Sequence, residues 1–128
     1  MIVGTGVDLV EISRIEDSIA RYGERFLDRI YTAGEIAYCR RKRSAAESFA
    51  ARFAAKEAGA KALGTGIQYG INWKDLEVVR RPGERPTLVL HGRAAEMGEK
   101  RGVSRIWLAI SHVKGLAIAT VHMEGAES

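Results

Sequence analysis

Two carboxylates and two lysines stand where a chain built only to pack would not put charge. Asp8 interrupts an apolar stretch, rich in Val and Ile, at residues 2–10. Lys56, Glu57 and Lys61 lie in an alanine-rich segment at 44–63. On a helical wheel of about 100° per residue with Phe49 at zero, Phe53, Ala60 and Leu63 fall within about 40° and define the expected buried face. Lys56 falls at about −20°, inside that arc, and Glu57 at about 80°, on its border. Charge is costly in such places unless it has a job or a partner. Asp8 and Glu57 offer the hard oxygen ligands that Mg²⁺ takes alongside substrate phosphates and water. The competing reading is purely structural: a snorkelling Lys56 and an i, i+4 surface pair of Glu57 with Lys61. Gly4 and Gly6 beside Asp8 are expected to let a ligand approach the strand.

Other residues favour an anionic ligand. Lys and Arg number 20 against 16 Asp and Glu, a formal net charge of +4. The excess is local, with Arg40, Arg41, Lys42 and Arg43 in one run and Arg14, Arg21 and Arg25 in one region. Phosphates, nucleic acid, anionic lipid or an acidic protein would all be attracted. Aromatics interleaved with basic residues, zinc-ligand spacing and a helix-turn-helix pattern are all missing, so nucleic acid is not expected as a partner. No apolar run approaches the roughly 20 residues that span a bilayer, so no membrane partner is expected either. No basic region precedes the apolar N-terminal stretch, so no signal peptide is expected, and the single Cys39 fits a reducing cytoplasm.

The elements that must position these residues follow from local pattern. The 128-residue chain, 46% hydrophobic and 28% charged, has the size and composition of one globular domain. Residues 2–10 read as a strand. Ser13 with Glu16, Thr32 with Glu35 and Ser44 with Glu47 have capping-box spacing, which predicts helices over 13–22, from 32 into the basic run, and over 44–63. Nine alanines make the last of these a strong helix that other backbones can approach closely, stopping at Gly64. A glycine-rich loop follows. Strands are predicted at 76–80 and 87–92, joined by a turn at 81–85, then a short helix at 93–101 and strands at 105–111 and 116–123. This order predicts an α+β fold with a mostly antiparallel sheet and a long central helix. The domain is expected over 1–123, with a frayed tail at 124–128.

The segments Gly6-Val7-Asp8-Leu9-Val10-Glu11-Ile12 and Arg52-Phe53-Ala54-Ala55-Lys56-Glu57-Ala58, the latter continued by Lys61-Ala62-Leu63-Gly64-Thr65-Gly66, resemble the two signatures of the 4'-phosphopantetheinyl transferases. Their separation and the chain length resemble the short bacterial holo-acyl carrier protein synthases over about residues 1–123. The resemblance implies Mg²⁺-dependent transfer of phosphopantetheine from coenzyme A to a serine of an apo acyl carrier protein, releasing adenosine 3',5'-bisphosphate, in fatty acid biosynthesis and in the cytoplasm. It implies Asp8 and Glu57 as metal ligands and Asp8, Glu57 and Lys61 as the catalytic set. It places Arg41, Lys42, Arg43, Lys61, Gly64, Thr65, Pro86, Ser111 and His112 at coenzyme A. Arg14, Arg21 and Arg25 would receive the acidic carrier protein. It further implies a homotrimer whose active sites are completed at subunit interfaces, Asp8 and Glu57 from one subunit and Ser111 with His112 from its neighbour. The alternative is a non-catalytic coenzyme A or carrier-protein binding module of the same fold.

Overall fold

The computed structural model describes residues 1–126. In chain order it contains β1 (Ile2–Glu11), α1 (Ile12–Tyr22), α2 (Glu24–Ile30), α3 (Ala33–Arg40), α4 (Ala45–Leu63), a 3-10 turn (Trp73–Asp75), β2 (Leu76–Val79), β3 (Thr87–Leu90), α5 (Gly92–Lys100), β4 (Val103–Val113) and β5 (Leu116–Gly125). The main sheet has the order β1-β5-β4, and β2 pairs with β3 in a second, two-stranded sheet. All three pairings are antiparallel. The architecture is α+β, with α4 as its centre.

Composition explains how α4 can occupy that position. It buries thirteen of its nineteen residues, so it has no single apolar face, and the expected arc of Phe49, Phe53, Ala60 and Leu63 is only part of its contact. Methyl groups let neighbours come close on every side. A Cβ at Gly4 would lie 2.1 Å from the Ala62 carbonyl oxygen, and one at Gly6 2.0 Å from that of Ala58. These two glycines therefore admit the α4 backbone rather than a ligand. On an adjacent flank a Cβ at Gly59 would lie 2.6 Å from Leu88 and 2.9 Å from Leu76, so the β2-β3 sheet presses on the helix there.

Helix starts differ in how they are held. Thr32 and Glu35 form a full capping box, Thr32 N donating to Glu35 Oε1 at 2.8 Å and Glu35 N to Thr32 Oγ1 at 3.2 Å. α1 starts at Ile12, one residue before Ser13, and neither α1 nor α4 has a side-chain cap. Ile12 N donates instead to Gly115 O at 2.9 Å in the β4-β5 turn. Ser44 precedes α4, while Glu47 faces His112, 3.9 Å from its Nδ1. The region after Tyr22 holds a further helix, α2, entered through Gly23 at φ 53°. Nor is the strand end frayed as expected: Glu124 pairs with Ile2 and Arg105, and Gly125 N donates to Met1 O at 2.8 Å. Residues 127 and 128 of the expected tail lie outside the described residues.

Candidate active site

Strand alternation puts Asp8 on the inner face of β1, with Gly4, Gly6 and Val10, facing α4. Because that helix lies against bare backbone, its next turn delivers Lys61 to the strand. Lys61 Nζ donates to Asp8 Oδ1 at 3.1 Å and to Val7 O at 3.1 Å. The competing i, i+4 pair of Glu57 with Lys61 does not form, since the ammonium is turned to β1. Glu57 makes no side-chain hydrogen bond among the described residues. Its carboxyl is pushed above the usual range by burial and then by the charge of Asp8, with Lys61 and Arg14 opposing. The Asp8 carboxylate lies within electrostatic reach of Glu57 across the β1-α4 contact, with the Lys61 ammonium on Asp8 and the Arg14 guanidinium also near enough to act on Glu57.

This pair suits a hard divalent cation that keeps water and takes further oxygens from a phosphorylated substrate. Mg²⁺ characteristically uses one or two protein carboxylates in that way. No cluster of three or more His, Cys, Asp or Glu side chains exists among the described residues, so a cation held wholly by protein side chains does not fit. Asp8 and Glu57 fit one whose coordination the substrate completes.

The remaining expected contacts fall elsewhere. A cleft of about 570 Å³ opens beside the N-terminal half of α4, lined by Tyr38, Lys42, Arg52, Arg80, Pro86 and His112 among others. Glu47 at this cleft and Glu57 are ten residues apart on one helix, about 15 Å along its axis. Within one chain, then, the carboxylate pair and the cleft are separate. The basic run is split. Lys42 lines the cleft, Arg40 pairs with Glu24, and Arg41 and Arg43 are exposed. His112 points to the cleft, whereas Ser111 alternates to the opposite, exposed face of β4. Gly64 caps α4 in the left-handed region at φ 82°, and a Cβ there would lie 3.0 Å from Arg101 Nη1. Thr65 is buried, its hydroxyl donating to Gly66 O at 2.9 Å inside the same loop.

Arg52 is the residue that sequence reasoning left unassigned. It is 6% exposed, its Nε has no hydrogen-bond partner, and its guanidinium lies 4.1 Å from the Tyr38 ring centroid. Lys42 Nζ sits 4.7 Å from the same ring. Burial acts to raise the Tyr38 hydroxyl, but the Lys42 hydrogen bond and the charges of Arg52, Lys42 and Arg80 bring it below its ordinary value. A buried cation with an open donor beside other cations is a site for an anion. The signal was available: Arg52, like Lys56, falls near the apolar arc of the wheel.

A third surface lies on α1 and α2. Ser18, Tyr22, Arg25, Phe26 and Arg29 line a depression of about 490 Å³. Arg21 stands in the last turn of α1, and Arg14 is near enough to the carboxylates to act on Glu57. Arginines around the exposed Tyr22 and the half-buried Phe26 make a surface for an acidic partner with an apolar spot. The break at Gly23 separates Arg21 from Arg25, and α2 adds Arg29.

Comparison with known proteins gives the family and the fold. The family model described as the 4'-phosphopantetheinyl transferase superfamily matches residues 4–121. The chain belongs to this superfamily. A holo-(acyl-carrier-protein) synthase from Koribacter versatilis is 55% identical over 124 residues, covering 97% of this chain and 99% of that protein. Among solved structures, the holo-(acyl-carrier-protein) synthase from Neisseria meningitidis superposes with a TM-score of 0.87 at 33% identity, covering 97% of this chain and 99% of that one. The Helicobacter pylori synthase, solved in complex with coenzyme A, gives 0.83 at 33% identity, covering 94% and 99%. The phosphopantetheinyl transferase fold therefore extends over nearly the whole chain.

Proposed function

We propose that this chain transfers 4'-phosphopantetheine from coenzyme A to a serine of an apo acyl carrier protein and releases adenosine 3',5'-bisphosphate. The observation that carries this reading is the meeting of Asp8, Glu57 and Lys61 at the contact of β1 with α4, inside a transferase fold. Asp8 and Glu57 would hold Mg²⁺, which when bound supplies neutralisation of charge on the pyrophosphate. Lys61 and Arg14 add positive charge for the same phosphates and the departing bisphosphate. Glu57 would take the serine hydroxyl proton. The cleft at Arg52, Tyr38, Lys42 and His112 would receive the adenosine and its phosphate. The α1-α2 arginines would receive the acidic carrier protein.

The separation of cleft and carboxylates supports the homotrimer. A neighbouring subunit could bring its cleft to the first subunit's carboxylates, completing a site that no single chain completes. The outer face of the main sheet suits such an assembly: Leu9 and Ile118 are registered neighbours, as are Trp107 and His122, and Val7, Leu9, Trp107, Val113 and Ile118 are all exposed. Exposed apolar surface of this kind marks an interaction face. A role in fatty acid biosynthesis and a cytoplasmic setting follow from the same reading, and no helix among the described residues is long and apolar enough to cross a membrane. The alternative of a non-catalytic binding module is disfavoured by the intact Asp8, Glu57 and Lys61. Incubation with coenzyme A, Mg²⁺ and apo carrier protein tests the choice: a phosphopantetheine mass increase on the carrier supports transfer, and binding without that increase supports the module.

A further inference from the structure

α4 is an awkward helix to hold at one rotation. Nine of its nineteen residues are alanines, so it has fewer ridges to interlock with neighbours than a Leu-rich helix would. At Gly4, Gly6 and Gly59 it meets its neighbours where a side chain would not fit. Yet Glu57 and Lys61 reach Asp8 at only one setting, because a slip of one residue turns the helix by about 100° and shifts it by about 1.5 Å. A polar tie to several neighbouring elements would fix that setting more sharply than methyl contacts do.

One buried polar cluster can do so. Lys56, fully buried, donates from Nζ to Glu35 Oε1 at 2.7 Å, to Leu76 O at 2.6 Å and to Trp73 O at 3.1 Å. An ammonium has three protons, and all three are used. Glu35 is itself fixed, accepting from Thr32 N at 2.8 Å and from Val78 N at 2.9 Å. One atom of α4 is thereby tied to α3, to the 3-10 turn and to β2. Glu77 adds negative charge and Arg52 positive charge around it, and the Tyr31 ring lies 5.7 Å away. Trp73 also stacks on Phe53 with ring centroids 4.8 Å apart. Trp73 and Leu76 sit where the segment that leaves α4 at Gly64 rejoins the fold, so the same ammonium anchors the far end of the loop carrying Thr65 and Gly66. A buried ion pair is seldom the most stabilising filling for a core, and apolar residues of similar volume often do as well. What it can supply is a single geometry.

We infer that Lys56, clamped to Glu35 and to the carbonyls of Trp73 and Leu76, is a positioning residue for the transfer reaction, setting the rotation of α4 so that Glu57 and Lys61 meet Asp8. The inference rests on the transferase reading. Lys56 acts through the helix and touches no reacting atom. Its neighbour Glu57 takes up the position that Lys56 has fixed.

Two variants test this. Lys56→Met combined with Glu35→Gln removes the pair without stranding a buried charge. Lys56→Arg keeps the charge but cannot gather three acceptors around one nitrogen. The measurements are kcat, KM for each substrate, the coenzyme A dissociation constant by titration calorimetry, and the folded fraction by thermal melt. In both variants, per folded molecule, kcat should fall and the coenzyme A dissociation constant rise by about tenfold or more. KM for the carrier protein, set by α1 and α2, should change by less than about twofold. Unchanged kcat and coenzyme A affinity in a folded variant would overturn the inference. So would a parallel loss of carrier affinity, or failure of both variants to fold, since either makes Lys56 a stability residue alone. A complete lack of transfer by the unmodified chain would instead overturn the transferase reading, and the calorimetric arm would still decide whether Lys56 controls coenzyme A binding.

Discussion

Burial penalises the Glu57 charge, and Asp8 adds to that penalty across the β1-α4 contact. A carboxyl whose folded pKa is raised is stabilising in its protonated form and costs stability as pH rises through its ordinary value. Glu57→Gln should therefore match or exceed the unmodified chain in melting temperature at pH 7, and the advantage should vanish below the ordinary glutamate value of 4.5. The same substitution should lower the transfer rate by about a hundredfold or more. Paired melts and rate assays check both halves. Glu77 has the opposite sign. Its burial acts to raise the carboxyl, but the Thr32 hydroxyl, donating at 2.7 Å, and His91, at 2.9 Å, hold it below its ordinary value. The stability it contributes is present above that value and is lost as pH falls through the lowered one. Cys39 is wholly buried and its thiol is pushed up to about 11, chiefly by burial. It should ignore a thiol reagent at neutral pH until denaturant is added, which absorbance of the released chromophore would follow.

At the scale of elements, the contact of β1 with α4 builds the site. Gly6→Ala would put a Cβ 2.0 Å from the Ala58 carbonyl oxygen, and backbone cannot yield as a flexible side chain can. The expected cost is on the order of 3 kcal/mol, with loss of transfer exceeding the loss of folded chain, as melts and rates on one sample would reveal. This contact was only half legible in the sequence. Alanines at 44–63 announced a helix that others could approach closely, and Asp8, Glu57 and Lys61 were conspicuous as charges among apolar residues. Which group approached Gly4 and Gly6 was not legible, because a glycine in a strand records a close approach without naming the visitor. Lys56 drew attention as a charge inside an apolar arc, but its partners lie on other elements and no spacing rule joins them. The capping pattern was right for Thr32 because Glu35 has both cap partners within one turn. It did not describe Ser13, since Gly115, distant in sequence, already satisfies the start of α1. α2 was missed because its seven residues are too few for periodicity to rise above the surrounding arginines.

On the scale of the whole molecule, three surfaces lie apart on one short chain: the carboxylate pair, the Arg52 cleft and the α1-α2 arginines. Their separation predicts that activity belongs to an assembly. Leu9→Lys together with Val7→Lys should shift the species in analytical ultracentrifugation from trimer toward monomer and remove transfer with it, because the cleft and the carboxylates would no longer share a substrate. Reversing Arg21 and Arg25 to Glu should slow association with the acidic carrier while coenzyme A affinity stays within about twofold, an effect strongest at low salt. The most direct test of the account is intact-mass analysis of an apo acyl carrier protein incubated with the chain, coenzyme A and Mg²⁺. The unmodified chain should add one phosphopantetheine per carrier, and Asp8→Ala combined with Glu57→Ala should add none. Transfer at an undiminished rate by that double variant, or no addition to any carrier by the unmodified chain, would contradict this expectation.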